Sequence, residues 1–128
     1  SGTFILLDID NFKKINDTYG HLVGDEIIIQ VANLILENKR KTDIAARWGG
    51  EELALYLPSV ELEHGIKVAE RLVKVVREST NPPVTISGGV SYWSADNPDD
   101  TADKLFNRAD QALYEAKRTG KNRVVVFQ

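Results

Sequence analysis

Apolar residues follow two rhythms along this chain, and their alternation gives an element order before any residue is assigned a function. Residues 3–9, TFILLDI, form an almost continuous apolar run rich in strand formers, the pattern of a central strand buried on both faces. Residues 11–19 predict a short helix, capped by Asp10 or Asn11 and ended by Gly20. Between Gly24 and Arg40, the positions of Ile27, Val31, Leu34 and Ile35 mark one buried helical face, with Asp25 and Glu26 expected in the first turn. Residues 43–48 and 52–57 predict two strands joined by a tight Gly49-Gly50 turn, with Pro58 closing the second. Leu62, Ile66, Ala69, Leu72, Val73 and Val76 define another helix, which must end before Asn81-Pro82-Pro83. Residues 84–93 are strand-like around Gly88-Gly89, the sign of a bulge or of another element packing close. A polar loop at 96–100 leads to a last helix marked by Leu105, Ala109, Ala112, Leu113 and Ala116, which stops near Gly120; residues 123–127 complete the pattern as a strand.

The resulting order, βααββαβαβ, is an α+β, split β-α-β arrangement of the ferredoxin-like kind, with helices flanking an antiparallel-containing sheet. No internal repeat or low-complexity tract divides it, so residues 1–128 are expected to form a single domain, enough chain to bury roughly two-thirds of its unfolded surface. Composition changes this picture little: 42% apolar and 27% charged residues are ordinary, while a net charge of -3 argues against a general binder of nucleic acid or anionic membrane. The absence of cysteine excludes disulfides and thiol chemistry. There is no membrane-length apolar run and no signal-peptide pattern, and the chain opens Ser1-Gly2 without methionine straight into a strand. It therefore reads as an excised piece of a longer protein, expected to work in the cytoplasm even where the parent is membrane-anchored.

The candidate chemistry concentrates at Arg47-Trp48-Gly49-Gly50-Glu51-Glu52-Leu53, where two glycines and two acids interrupt the paired strands. If the end of the first strand lies beside this hairpin, Asp8, Glu51 and Glu52 converge; clustered carboxylates repel unless a cation joins them, and hard oxygen ligands without Cys or His suit Mg²⁺ or Mn²⁺. Spacing alone equally permits Asp8 or Asp10 as a helix cap and two glutamates decorating a turn. Lys13 lies in the first turn of the short helix, where free N–H groups favour an anion, although a lysine there is commonly a solvated charge. Asn16 and Asp25 flank the loop between two helices and could read a guanine edge, since a carboxylate accepts from both N1–H and the 2-amino group; a turn-forming Asn and a helix-start acid are the plain alternatives. His21 reads first as a packing or capping residue. Lys117 and Lys121 bracket the end of the last helix, where cations are expected with or without a phosphate, and Arg40 forms an Arg-x-x-Asp with Asp43.

Taken together, LLDIDNFKKINDTYGHLVGDE (residues 6–26), RWGGEEL (47–53), TISGGVS (85–91) and ADQALYEAKRTGKN (109–122) closely resemble the GGDEF family of diguanylate cyclases, in the family's order and over nearly the whole chain. The resemblance implies the nucleotidyl-cyclase palm-like fold and condensation of two GTP molecules into cyclic di-GMP and two pyrophosphates by a Mg²⁺-dependent homodimer. It implies metal binding by Asp8, Glu51 and the carbonyl of Ile9, with Glu51 assisting deprotonation and Glu52 secondary. Asn16 and Asp25 become the guanine readers. Lys13, Lys117, Lys121 and amides near Phe12 become phosphate contacts, and His21, Gly49 and Gly50 line the nucleotide pocket. Arg40 and Asp43 match the family's product-inhibition site for cyclic di-GMP, with Arg71 similar to a secondary contact there. Two departures stand out: Leu53 replaces phenylalanine in the signature and is expected to point into the sheet, and the helical segment that usually precedes the first strand is missing, as are regulatory domains. The alternative function is a catalytically silent sensor of GTP or cyclic di-GMP. An RNA-recognition sheet would need exposed aromatic and basic strand positions where this hairpin carries acids.

Overall fold

The apolar run at the start of the chain becomes the middle strand of a five-stranded sheet in the computed structural model, which describes residues 1–128. The elements are β1 (Gly2–Ile9), α1 (Phe12–Tyr19), α2 (His21–Asn38), β2 (Ile44–Gly49), β3 (Glu52–Pro58), α3 (Leu62–Ser79), β4 (Ile86–Trp93), α4 (Ala102–Arg118) and β5 (Val124–Val126), in the βααββαβαβ order that the sequence predicts. Across the sheet the strands run β2-β3-β1-β4-β5. β1 pairs antiparallel with β3 and β4, β2 pairs antiparallel with β3, and β5 pairs parallel to β4 after the α4 crossover.

Alternation along the strands assigns each face a cover. Ile5, Leu7 and Ile9 of β1 pack with Leu53, Leu55 and Leu57 of β3 against Ile27, Val31 and Ile35 of α2 and Ala69, Leu72 and Val76 of α3. Leu6 points the other way and meets Ala54 of β3 with Ala109 and Leu113 of α4. Each such side chain, fully buried, contributes roughly 1.5–3 kcal/mol relative to exposure, so this two-sided burial is what fixes β1 in the centre. Leu53 lies in the larger core, 5% exposed, as its place in the strand demands. No helix is long and apolar enough to cross a membrane.

Glycine sets the approach of α4 to the sheet. A Cβ on Gly89 of β4 would overlap the carbonyl of Ala109 and the amide of Leu113, both α4 backbone. The Gly88-Gly89 pair marks close packing of a helix and not a bulge, since β4 keeps an unbroken register against β1 through both residues.

Three local expectations need correction. α2 begins at His21, directly after Gly20, so Asp25 and Glu26 lie beyond its first turn. Gly24 is helical and buried there; its missing side chain makes room for the Asn16 amide and the edge of Phe12 from α1. The β2–β3 turn also sits one residue later than expected: Gly49 pairs with Glu52 inside the ladder, and Gly50, with φ +47°, and Glu51 form the tip. The ladder reaches this arrangement by a bulge, because pairing passes from Arg47↔Leu53 directly to Gly49↔Glu52 and leaves Trp48 as the extra residue. The Trp48 ring packs on Phe106 of α4, with centroids 4.8 Å apart. Finally, Asp10 caps no helix. Asn11 occupies the N-cap position of α1 in a left-handed conformation without a side-chain cap bond, and the Asp10 carboxylate turns under β4 instead.

Candidate active site at the end of β1 and the β2–β3 hairpin

Strand register brings the acids together. Asp8 stands directly opposite Glu52 in the β1–β3 ladder, and the Ile9 N–H donates to the Glu51 carbonyl at 3.3 Å, tying the end of β1 to the hairpin tip through the backbone. Like charges facing each other across a ladder repel. Burial first, then the nearby Glu51 and Asp10, push the Asp8 carboxyl above its ordinary value despite the opposing pull of Lys117. Glu52 is likewise raised by burial and by Asp8, Asp110 and Glu51, again against Lys117.

Lys117 is the cation that answers them. From the last turn of α4, Nζ sits 3.0 Å from Asp8 Oδ1, 3.3 Å from Asp10 Oδ1 and 3.5 Å from the Ile9 carbonyl oxygen. The contact to Asp8 is ionic but poorly aligned, so the buried Oδ1 has a charged partner without a directional hydrogen bond. A buried carboxylate oxygen lacking a directional donor fits a spherical cation. No three His, Cys, Asp or Glu side chains close into a cage. A hard ion such as Mg²⁺ does not need such a cage, since it takes one or two carboxylates and fills its remaining positions with water and phosphate oxygens. Asp8, the Ile9 carbonyl and Glu51 are neighbours there along the paired backbone.

Asp10, which the sequence offered only as a cap, is the anchor beneath this site. It is 2% exposed and accepts from Thr85 Oγ1 at 2.7 Å, Ser87 Oγ at 2.6 Å and the Asn122 amide at 2.9 Å. The alternation in Asp8-Ile9-Asp10 places both acids on one face, the only sequence signal for it. Just beyond, Lys121 donates to Asn11 Oδ1 at 2.7 Å, which brings a second ammonium to the start of α1 near Lys13 and Phe12. Lys13 is exposed and makes no ion pair. Asn16 packs beside Gly24, next to exposed Asp25. His21, exposed in the first turn of α2, neither packs nor caps; Gly49 and Gly50 are also exposed, with nothing near the position a side chain would occupy.

Arg40 and Asp43 lie elsewhere, in a cleft of about 340 Å³ that Arg71, Asn38 and His64 also line. The Arg40 guanidinium meets Asp43 Oδ1 through Nε at 3.0 Å and Nη2 at 2.6 Å, while the Arg40 amide holds Oδ2 at 2.8 Å. Burial alone would raise the Asp43 carboxyl, but the Arg40 hydrogen bonds and charge outweigh it and hold the group below its ordinary value. Arg71 donates to Asn38 Oδ1 at 3.2 Å, so all three residues of the expected Arg-x-x-Asp site share one concavity.

The sheet order, with the β2–β3 hairpin beside the end of the central strand, is that of the nucleotidyl-cyclase palm-like fold. The sequence matches the profile "Diguanylate cyclase, GGDEF domain" over residues 1–123, and the chain belongs to that family. Among relatives, the uncharacterized Bacillus subtilis protein YtrP is 57% identical over 125 residues, covering 98% of this chain and 21% of YtrP. Diguanylate cyclase A of Treponema denticola is 42% identical over 130 residues, covering 97% of this chain and 34% of that protein. The chain thus spans about a fifth to a third of these relatives. The active GGEEF domain of a diguanylate cyclase from Vibrio cholerae superposes with a TM-score of 0.91 at 34% identity, covering 99% of this chain and 83% of that one. The GGDEF domain of DgcB from Caulobacter crescentus, solved in complex with c-di-GMP, gives the same TM-score and identity, covering 99% and 76%.

Proposed function

We propose that this chain condenses two GTP molecules into cyclic di-GMP and two pyrophosphates in a Mg²⁺-dependent reaction, and that the product restrains it through the Arg40–Asp43–Arg71 cleft. The observation that supports the reading is the strand pairing that sets Asp8 opposite Glu52 and ties Ile9 to Glu51, beside a buried Asp8 oxygen without a directional donor. In this reading Asp8, the Ile9 carbonyl and Glu51 hold the cation. When bound, it neutralises phosphate charge and lowers the pKa of the attacking hydroxyl.

The chain's own residues do the positioning. Asp25 accepts from the guanine N1–H and 2-amino groups while Asn16 meets the same base edge, a choice that disfavours adenine, which has no N1 donor. Gly49 and Gly50 let the triphosphate approach the hairpin backbone. Lys117, Lys121, Lys13 and the free N–H groups at the start of α1 receive its phosphates. The 3′-oxygen then bonds to the α-phosphorus of the opposite nucleotide, the bond from that phosphorus to the bridging oxygen breaks, pyrophosphate leaves, and Glu51 accepts the hydroxyl proton. One chain offers one such pocket, so two chains face each other about a two-fold axis and most of the rate enhancement is orientation.

The test is GTP turnover with Mg²⁺ by the chain fused to a dimerising coiled coil. Cyclic di-GMP and pyrophosphate should appear, and Glu51→Gln should abolish both while thermal unfolding stays unchanged. Turnover that survives Glu51→Gln would refute the ligand assignment. Cyclic di-GMP binding by calorimetry without any turnover would make the chain a sensor instead.

A further inference from the structure

The Lys117 ammonium lies among three of the oxygens clustered at the end of β1: Asp8 Oδ1, Asp10 Oδ1 and the Ile9 carbonyl. Two of these, Asp8 and the Ile9 carbonyl, belong to the ligand set assigned above to a divalent cation. An ion bound about 2.1 Å from Asp8 Oδ1 lies no more than about 5 Å from Nζ as it stands. Two cations that close, in a partly buried site, repel strongly. The ammonium and a divalent ion therefore compete for the same oxygens.

We infer that Lys117 is a built-in counter-cation of this acidic cluster, which holds Asp8 and Asp10 together and must withdraw from Asp8 before a divalent ion can bind. The inference rests on the metal reading given above. Asp10 makes the exchange workable. It lies on the same face as Asp8, is fully buried, and is held by Thr85, Ser87 and the Asn122 amide independently of Lys117. Lys117 can therefore leave Asp8 and keep one carboxylate partner while its flexible stem turns toward an arriving phosphate. Free metal is then admitted poorly and metal with nucleotide well, because the triphosphate offers the displaced ammonium a new anion. The lysine thus couples the two binding events.

The experiment titrates Mn²⁺ into the chain without nucleotide and follows the free-ion signal by electron paramagnetic resonance. Lys117→Met is expected to bind Mn²⁺ at least tenfold more tightly than the unaltered chain, and Lys117→Arg, which keeps the charge, to stay within about threefold of it. Equal or weaker binding by Lys117→Met overturns the inference, since a lysine with only a structural role would loosen the site on removal. Asp8→Asn separates this failure from that of the underlying reading: Mn²⁺ binding that depends on Asp8 but ignores Lys117→Met leaves the metal assignment standing. Binding insensitive to Asp8→Asn in every chain overturns both. Should Lys117→Met fail to fold, the Lys117 Cε resonance of the unaltered chain carries the test. It is expected to shift as Mg²⁺ is added without nucleotide, and an unmoved resonance at saturating Mg²⁺ overturns the inference.

Discussion

Replacing Gly89 by alanine tests whether α4 is positioned by direct backbone contact with the sheet. The added methyl would lie 3.0 Å from Leu113 Cα and closer still to the Ala109 carbonyl and the Leu113 amide. None of these atoms can turn aside, since all are backbone within a 17-residue helix. Restoring an ordinary separation of about 3.5 Å requires the helix to withdraw by about 1–1.5 Å. That motion opens the layer formed by Leu6, Ala54, Ala109 and Leu113. Overpacking of this kind typically costs 1–3 kcal/mol, and with rigid atoms on both sides we expect the upper end, about 3 kcal/mol. At roughly 3–4 °C per kcal/mol for a chain of this size, the midpoint of thermal unfolding should fall by about 10 °C. Gly88→Ala is the control: its methyl meets Leu7 Cδ2 at 3.0 Å and Val124 Cγ2 at 3.6 Å, side-chain ends that can adjust. Urea unfolding of both variants decides the matter. A Gly89→Ala loss under 1 kcal/mol, or one equal to that of Gly88→Ala, would refute the idea that this glycine sets the height of α4 and with it the position of Lys117.

Two further predictions follow from the polar contacts. Asp10→Ala strands the hydroxyls of Thr85 and Ser87 and the amide of Asn122 and should cost about 3 kcal/mol in urea unfolding; a loss below 1 kcal/mol would show that Asp10 is no anchor. Asp43 is held below its ordinary value of 3.8, so its contribution to stability is fully present above that value and is lost as pH falls through the lower folded-state value. Arg40→Ala should move the carbon-13 titration midpoint of the Asp43 carboxyl upward and remove the Asp43 share of the acid destabilisation. The same variant should weaken cyclic di-GMP binding at least tenfold by calorimetry, and an unmoved Asp43 midpoint would remove the basis for the pairing argument.

What the sequence made legible was whatever depends on neighbours along the chain. The unbroken TFILLDI run could only be a strand covered on both faces, and the spacing of Leu62, Ile66, Ala69 and Val76 could only bury as a helix. The errors arose where distant packing overrides local preference. The helix was expected from Gly24 on the spacing of Ile27, Val31, Leu34 and Ile35, yet it begins at His21, and a glycine stands inside it where Asn16 and Phe12 need the space. The turn was set on the two glycines, while the bulge at Trp48 moved it onward by one residue. Beyond its alternation with Asp8, Asp10 gave no sign of its burial because its partners Thr85 and Ser87 lie 75 and 77 positions away. That the end of β1 lies beside the hairpin, with Asp8 opposite Glu52, was anticipated from element order. The ammonium among them was not, since Lys117 arrives from the far end of the chain on a helix whose height is set by Gly89.

The bulge makes the acidic tip as much a matter of counting as of residue identity. Without the extra residue, a regular ladder continuing from Arg47↔Leu53 would pair position 48 with Glu52 and leave a three-residue loop, carrying Glu51 on a different curve. A GGEE tetrapeptide transplanted into an ordinary hairpin would thus bring the right letters at the wrong pitch. The extra residue is also the one whose ring rests on Phe106, so it joins the hairpin carrying the acids to the helix carrying the lysine. Any redesign of the tip has to preserve that aromatic hinge pin together with the carboxylates.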